Sequence, residues 1–487
     1  MTLTTESFVA LLPLLITSAT AVLVMLSIAV RRNHWWNATL TVIGLNAALL
    51  SALIAYKVLP QAVTPLLMVD GYALFYMVVI LIATLGCATL SHAYMEGYPG
   101  NREEIYLLLT LAATGGLVLA CSRHFAALFI GLELLSVPVY AMVAYVFRNK
   151  RSLEGGIKYM VLSAVASAFL LFGMALLYAQ FGSLGFADIG RQLSVPALAG
   201  KLSPLVFAGA ALMLVGLGFK LSLAPFHLWT PDVYEGAPAP VGAFLATASK
   251  VAVFAVLLRF IAEAAAGITA LRDVLTAIAI ASILIGNLLA LTQSNIKRLL
   301  GYSSIAHFGY VLVIIIAGVS PSETLEGVAM YLLTYVVTTL GAFGVVALMS
   351  SPYQGHDADS LSHYRGLFWR RPYLTAVLTA MMLSLAGIPI TAGFIGKFYA
   401  LKAGVDADLY LLLGTVVVGS AIGLYYYLRV MVTSFLSAPG MARYDAQLKW
   451  GQQAGGIMVL ALTALMFFLG VYPQPVIELV QRASLAL

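Results

Sequence analysis

Gly216-Leu-Gly-Phe-Lys220-Leu-Ser-Leu-Ala-Pro225-Phe-His227 places a lysine five residues before a proline, inside an apolar stretch running from about residue 204 to 236. Proline removes one amide donor and opens the helical ladder. Carbonyls freed in this way at membrane depth are tolerated only where protein or water reaches them. An ionised lysine at the centre of a membrane helix costs roughly 2.5–3.5 kcal/mol. Together the two features mark an interrupted membrane helix that carries a buried charge.

The stretch has an echo. Leu221-Ser-Leu-Ala-Pro225 reappears as Leu383-Ser-Leu-Ala386, with Pro389 following after Gly387 and Ile388. The first copy lies in the seventh apolar stretch and the second in the twelfth. An offset of five spans is odd, so the second copy stands upside down in the bilayer. A short Leu-rich match arises easily by chance in so biased a composition. Two proline-broken stretches at matching places strengthen it, because interrupted helices in both halves of an inverted repeat point to the transport path.

Outward from these two stretches the theme repeats. Apolar segments recur at about 8–30, 36–56, 70–92, 104–121, 124–147, 155–180, 204–236, 238–262, 270–292, 300–318, 326–350, 372–401, 408–435 and 453–472. A span needs about 20 apolar residues, so the expectation is an all-α membrane protein of about 14 transmembrane helices. Spans 4–8 and 9–13 would form inverted-topology repeats, with helices 7 and 12 discontinuous. One polytopic domain, 1–487, then divides into a three-helix segment (1–100), a first repeat (104–262), a second, inverted repeat (270–435) and a C-terminal helix and tail (453–487). Only Glu6 precedes the first span, so that span lacks the basic segment of a cleaved signal peptide and reads as a retained helix.

Composition agrees. Of the 487 residues 62% are hydrophobic and only 9% charged, against about 25% charged in soluble proteins. That excludes an ordinary soluble enzyme and a disordered chain. The net charge is +6, yet no basic cluster exceeds Arg148, Lys150 and Arg151, so nucleic acid is a poor partner. Loops after odd-numbered spans carry fourteen Lys and Arg, with Lys297 and Arg443 among them. Loops after even-numbered spans carry eight, including Lys201 and Arg259. The excess marks the first set as cytoplasmic, which puts both termini on the periplasmic side of a bacterial inner membrane. Cys87 and Cys121 are too few for a four-cysteine iron–sulfur cluster, and no dinucleotide or phosphate-binding fingerprint is present. Redox chemistry linked to this chain is expected to happen elsewhere.

The charges left inside spans are few: Lys158, Lys220, Lys250, Lys397 and the deep carboxylate Glu133. Five such groups would cost on the order of 12–17 kcal/mol unless they pair or line a wet cavity, comparable with the stability of a whole domain. Glu133 lies about nine residues into its span, roughly 13 Å from one surface, and is the natural partner for Lys220. Burial and a neighbouring carboxylate act on a lysine's proton in opposite senses, so making and breaking this pair would load and unload the amine. Lys250 is too deep to snorkel easily, and Lys397 follows the second break. Lys158 falls in the first turn of its span, where position alone suggests snorkelling to the interface. His227, just past the first break, and His307, in span ten, are candidate relays because neutral imidazole can pass a proton; packing is the plain alternative for each. Seven scattered histidines do not make a haem site. Tyr425-Tyr426-Tyr427 and Trp35-Trp36 read as interface anchors or packing, and Asp232 and Glu235 as helix caps.

The run Gly216 to Asp232, followed by Glu235-Gly-Ala-Pro-Ala-Pro240, resembles the signature of the antiporter-like subunits of respiratory complex I. So does Asn295-Ile-Lys-Arg-Leu-Leu-Gly-Tyr-Ser-Ser-Ile305 with His307 and Gly309. The family also includes subunits of multi-subunit sodium/proton antiporters. Within it the chain resembles the bacterial N type: it stops soon after span fourteen, has lysine at Lys397 where other types carry glutamate, and has the triple tyrosine before Arg429. The resemblance implies that Glu133 pairs with Lys220, that Lys250 passes the proton laterally and that Lys397 delivers it toward the exit side. Lys158, His227 and His307 match family positions used in the same path. It implies a proton-translocating membrane-arm subunit of NADH:quinone oxidoreductase that binds no cofactor itself. NAD, FMN, iron–sulfur clusters and quinone would belong to partner subunits of a hetero-oligomer among membrane lipids. The second half departs from the first, with no carboxylate corresponding to Glu133 and no span-thirteen lysine corresponding to Lys250. Two rivals remain: a subunit of a sodium/proton antiporter, and a passive scaffold of the membrane arm.

Overall fold

In the computed structural model the structure describes residues 4–194, 203–263, 271–318, 320–350, 357–437, 444–447 and 449–484. Lys201 and Arg443, counted above among the loop charges, lie outside the described residues. The first group of helices is α1 (Thr5–Ala10), α2 (Leu12–Val30), α3 (His34–Ala55) and α4 (Gly71–Met95). Then come α5 (Glu104–Cys121), α6 (Phe125–Val143), α7 (Lys150–Phe181), α8 (Phe186–Leu193), α9 (Pro204–Lys220), α10 (Trp229–Gly236), α11 (Ala239–Ala246) and α12 (Ala248–Glu263). The chain continues with α13 (Arg272–Leu291), α14 (Ile296–Ala317), α15 (Pro321–Met349), α16 (Leu367–Arg370), α17 (Pro372–Ala386), α18 (Ala392–Asp406) and α19 (Tyr410–Phe435). It closes with α20 (Ala454–Val471) and α21 (Gln474–Ser484). Among the described residues twelve helical segments are long and apolar enough to cross a membrane, with α11 and α12 counted as one; α9 and α17 are shorter apolar helices.

Local sequence sets the ends of these helices. Asn33, Asp70, Asn149, Ser203, Asn295 and Ser320 each accept a first-turn amide through the side chain, the usual N-cap arrangement. Gly182, Gly318 and Gly387 close α7, α14 and α17 in the left-handed conformation, which lacks a Cβ clash only for glycine.

The bundle has an inside and an outside. Every residue of the apolar window of α14 is buried, against 39% of the window of α7; α14 is therefore a core helix and α7 a lipid-facing one. With lipid outside, helices associate through close packing rather than hydrophobic transfer. A Cβ on Gly173 of α7 would fall 2.6 Å from the Gly209 carbonyl of α9, and one on Gly286 of α13 would fall 2.7 Å from the Ala306 amide of α14.

Loops gather at two opposite faces. On one, a two-stranded ribbon (Gln61–Ala62 with Met68–Val69) is joined by bridges Leu67 to Ser122 and His124 to Gly185. On the other, Asn295 bridges Ser360, and the turns after α6, α10 and α13 meet. These groups are the even and odd loops of the sequence reading. Two residues counted there as loop charges are, however, buried. Arg259 sits inside α12, which runs on to Glu263, and forms a two-pronged ion pair with Asp70 at 2.7 and 2.8 Å. Lys297, in the first turn of α14, reaches Asp357 at 2.7 Å and the Ala237 carbonyl at 2.8 Å. Apolar runs define spans only to within a turn, and each of these cations lies within that margin.

Candidate functional site

The first helix break is built by exchanging backbone partners for side chains. Helix α9 ends at Lys220, and Ser222 takes a left-handed conformation (φ 60°). In an unbroken helix the Lys220 carbonyl would accept from the Ala224 amide. That amide instead donates to Ser282 Oγ at 2.9 Å. The freed Lys220 carbonyl is taken by Lys250 Nζ at 2.5 Å, and the same amine donates to Ser222 Oγ at 2.6 Å. Trp229 Nε1 donates to the Phe219 carbonyl at 3.0 Å, and Lys250 Nζ stands 4.8 Å above the Trp229 ring.

The side chain of Lys220 points the other way. Its Nζ donates to Ser136 Oγ of α6 and Ser163 Oγ of α7, both at 2.6 Å, and Tyr140 Oη lies 2.6 Å from the same Ser163 oxygen. Glu133 is one turn earlier on α6 and accepts from Ser167 Oγ at 2.6 Å. The expected Glu133–Lys220 pair is thus not closed in this conformation: the carboxylate is held by Ser167 and the amine by Ser136 and Ser163.

The second break repeats the first motif with a different donor. Helix α17 ends at Ala386, Gly387 turns with φ 84°, and α18 starts at Ala392. The freed Ala386 carbonyl accepts from Lys397 Nζ at 2.8 Å. Ser384 Oγ accepts from the Gly393 amide at 3.0 Å and lies 2.8 Å from Thr338 Oγ1. In both halves, then, the last turn of a half-helix presents a bare carbonyl to a buried ammonium. A network of aromatic hydroxyls lies within residues 287–427, around His307. His307 Nδ1 is 2.8 Å from Tyr331 Oη and Nε2 is 3.3 Å from Tyr427 Oη. Tyr427 Oη also contacts Ser303 Oγ. Asn287 joins Tyr310 and Tyr426 at 3.0 Å each, and Lys397 Nζ stands 5.4 Å from the Tyr310 ring centre.

Lys220, Lys250, Lys397 and His307 therefore converge on the interior, and Glu133 joins them at the edge of α6. His227 is buried in the turn after the first break, and its Nδ1 has no hydrogen-bond partner among the described residues. Lys158 stands apart. Helix α7 starts at Lys150, earlier than the apolar run suggests, yet Lys158 is half-exposed at the loop face, bonded to Glu154 at 2.5 Å and Asp232 at 2.8 Å. Asp232 and Glu235 are ion-pair partners of Arg298, at 2.7 and 2.8 Å, rather than simple caps, and Glu235 also holds Arg151 at 2.9 Å.

Sequence reading missed the hydroxyls. Ser136, Ser163, Ser222, Tyr310 and Tyr331 gave no signal, and of the three tyrosines read as interface anchors or packing, Tyr426 and Tyr427 are buried network members. Only Tyr425 faces outward, 64% exposed. The spacing Ser163–Ser167 on one face of α7 was the one available hint. Chemically, the assembled groups are amines, hydroxyls, an imidazole and a carboxylate, all able to give or take protons. Among the described residues no group of three or more His, Cys, Asp or Glu is arranged to hold a metal.

Comparison with known proteins gives a consistent result. Residues 122–423 match the family model described as "NADH:quinone oxidoreductase/Mrp antiporter, TM". NADH-quinone oxidoreductase subunit N of Ectopseudomonas mendocina is 65% identical over 489 aligned positions, covering 99% of this chain and 97% of that protein. A chain of respiratory complex I from Thermus thermophilus superposes with a TM-score of 0.81 at 35% identity, covering 96% of this chain and 98% of its own. A chain of the Mrp complex of a Dietzia species gives a TM-score of 0.85 at 21% identity, over 99% of this chain and 97% of its own; at that identity the likeness is one of fold.

Proposed function

The chain belongs to the NADH:quinone oxidoreductase/Mrp antiporter membrane family, and from that premise we propose that it is a proton-translocating subunit in the membrane arm of NADH:quinone oxidoreductase. It works in a hetero-oligomer in the bacterial inner membrane, with both termini periplasmic. It holds no redox centre; NADH, flavin, iron–sulfur and quinone chemistry belong to partner subunits. It crosses the membrane fourteen times, α9 with α10 and α17 with α18 each making one discontinuous transmembrane helix. Residues 104–262 and 270–435 are its inverted repeats, flanked by 1–100 and 453–487.

The observation that carries this reading is the pair of helix breaks whose freed carbonyls bind buried ammonium groups, Lys250 at Lys220 and Lys397 at Ala386. Protonated, each amine is held by a carbonyl, Lys250 also by the Ser222 hydroxyl; deprotonated, it loses that charge-assisted bond. Glu133 swinging toward or away from Lys220 changes the local charge and with it the proton's best seat. The proton then moves through Lys250 and His307 to Lys397, with His227 beside the first break and Lys158 at the loop face. The trigger is a two-state rearrangement biased by quinone chemistry in distant subunits. The 65% identity to a subunit N favours this reading over a sodium/proton antiporter.

The test is Lys220→Ala, and separately Lys250→Ala, in the purified complex reconstituted into vesicles. NADH-driven lumen acidification is expected to fall about tenfold or more, a loss of at least about 1.4 kcal/mol in barrier lowering, while the subunit stays assembled. Normal pumping by both variants would overturn the proposal in favour of a scaffold. Native purification that recovers this chain without flavin or iron–sulfur subunits would overturn it in favour of an antiporter.

A further inference from the structure

Lys250 is buried in α12, and its ammonium donates to the Lys220 carbonyl at 2.5 Å and to Ser222 Oγ at 2.6 Å. Both acceptors are neutral, and an ammonium has three protons to place. Beyond these two acceptors the amine faces the ring of Trp229, centred 4.8 Å from Nζ; Phe308 is farther off, at 5.7 Å. Trp229 has no role in the path described so far.

The indole is held in place from several sides. It is 2% exposed, its Nε1 donates to the Phe219 carbonyl at 3.0 Å, and it stacks on Tyr159 with ring centres 4.5 Å apart and planes 15° from parallel. The Phe219 ring packs against it at 5.2 Å. The N–H bond ties the ring to the last turn of α9, the same turn whose Lys220 carbonyl seats Lys250. One helix break therefore sets both the carbonyl and the ring.

Ring faces attract cations within about 6 Å, tryptophan most strongly, and the attraction grows when water is excluded. A carboxylate in the same place would attract more, but it would carry the desolvation cost of a second buried ion and could take the proton itself. An indole face has no net charge and no basic lone pair. It interacts with the ammonium and hardly with the neutral amine, so it leaves the proton free to move on. The other buried amines repeat the pattern with tyrosine. Lys220 Nζ is 5.8 Å from the centre of Tyr140 and 6.0 Å from that of Tyr159, and Lys397 Nζ is 5.4 Å from that of Tyr310.

We propose that the indole face of Trp229 is the charge partner of Lys250, standing in for a carboxylate and stabilising the amine while it holds a proton in transit. The inference rests on the pumping function proposed above and deepens it, adding to that site a residue that acts directly on a proton carrier.

Two measurements on the intact complex test it. In the first, tryptophan carrying one, two or three ring fluorines is inserted at position 229 alone. Fluorine keeps the shape and the N–H but drains the face of the electron density that attracts a cation. In reconstituted vesicles NADH-driven pumping is expected to fall stepwise with fluorine number, by about tenfold for the trifluorinated ring. Equal pumping across the series, in a preparation where Lys220→Ala stops pumping, overturns the charge role and leaves the pump intact. The second measurement does not depend on pumping: thermal melting of the complex with Trp229→Leu, alone and together with Lys250→Met. Trp229→Leu is expected to lower the melting temperature more when Lys250 is present than in the Lys250→Met background. Equal losses in the two backgrounds mean that the ring only packs, and overturn the proposal. Normal pumping by Lys220→Ala overturns the pump itself, and the melting cycle then decides the pair alone.

Discussion

A buried ammonium needs acceptors, and at Lys220 they are two serine hydroxyls rather than a carboxylate. Hydrogen bonds to charged groups contribute about 1.5–3 kcal/mol each. Ser136→Ala with Ser163→Ala should therefore raise the barrier for proton transfer at Lys220 and slow NADH-driven pumping about tenfold, read in vesicles, with the single variants intermediate. Unchanged pumping in the double variant would mean that these hydroxyls only pack. The lysines themselves were legible in the sequence because a charge in an apolar run is conspicuous. Their partners were not. Serine and threonine in any membrane helix can bond the carbonyl one turn back, as Thr84 and Thr110 do here, so nothing in the string separates Ser136 or Ser163 from an idle hydroxyl. Tyrosine is equally mute: Tyr425, Tyr426 and Tyr427 are consecutive, and the helical turn alone decides that one faces out, one reaches Asn287 and one reaches His307.

At the scale of the element, the breaks depend on single backbone conformations. A Cβ at Gly387 would enforce a left-handed L-residue, at about 1–2 kcal/mol, and would sit 2.6 Å from Lys397 Cδ. Gly387→Ala should lower the thermal stability of the subunit in the complex and displace Lys397 from the Ala386 carbonyl, cutting pumping several-fold; wild-type melting and pumping would show that the turn relaxes freely. Pro225 and Pro389 pointed to interruptions, and α9 and α17 end at Lys220 and Ala386, shortly before them. What seats in the gap was unreadable: Lys250 comes from the next span and Lys397 from the same one, a difference that only the three-dimensional path of each helix decides. The same limit misplaced Lys297, which precedes its expected span by three residues, while Arg259 lay inside its expected span but within a turn of its end and was counted with the loop.

For the whole molecule, the loops joined by backbone bridges, Leu67 with Ser122 and His124 with Gly185, and Asn295 with Ser360, fall within the expected even and odd sets respectively. The tie between α4 and α12 was not legible in the sequence. Asp70 caps α4 by accepting from the Ala73 amide at 2.7 Å and grips Arg259 of α12 with both oxygens. Removing one member of a buried ion pair typically costs 3–5 kcal/mol, whereas replacing both by apolar residues is often neutral. Arg259→Met alone should destabilise the subunit strongly and reduce its level in assembled complex, and Asp70→Leu with Arg259→Met should recover much of that loss, less the missing cap. Recovery of nothing by the double variant, measured by thermal melting of the complex, would assign the pair's value to the cap alone.

The seat of Lys250 is the backbone oxygen of Lys220, so the two amines are mounted on one lever. A few degrees of rotation in the last turn of α9 would carry one ammonium and, in the same movement, tilt the cradle of the other. Evolution cannot then retune either position in isolation: a substitution that shifts this turn should be tolerated only alongside compensating changes at both stations.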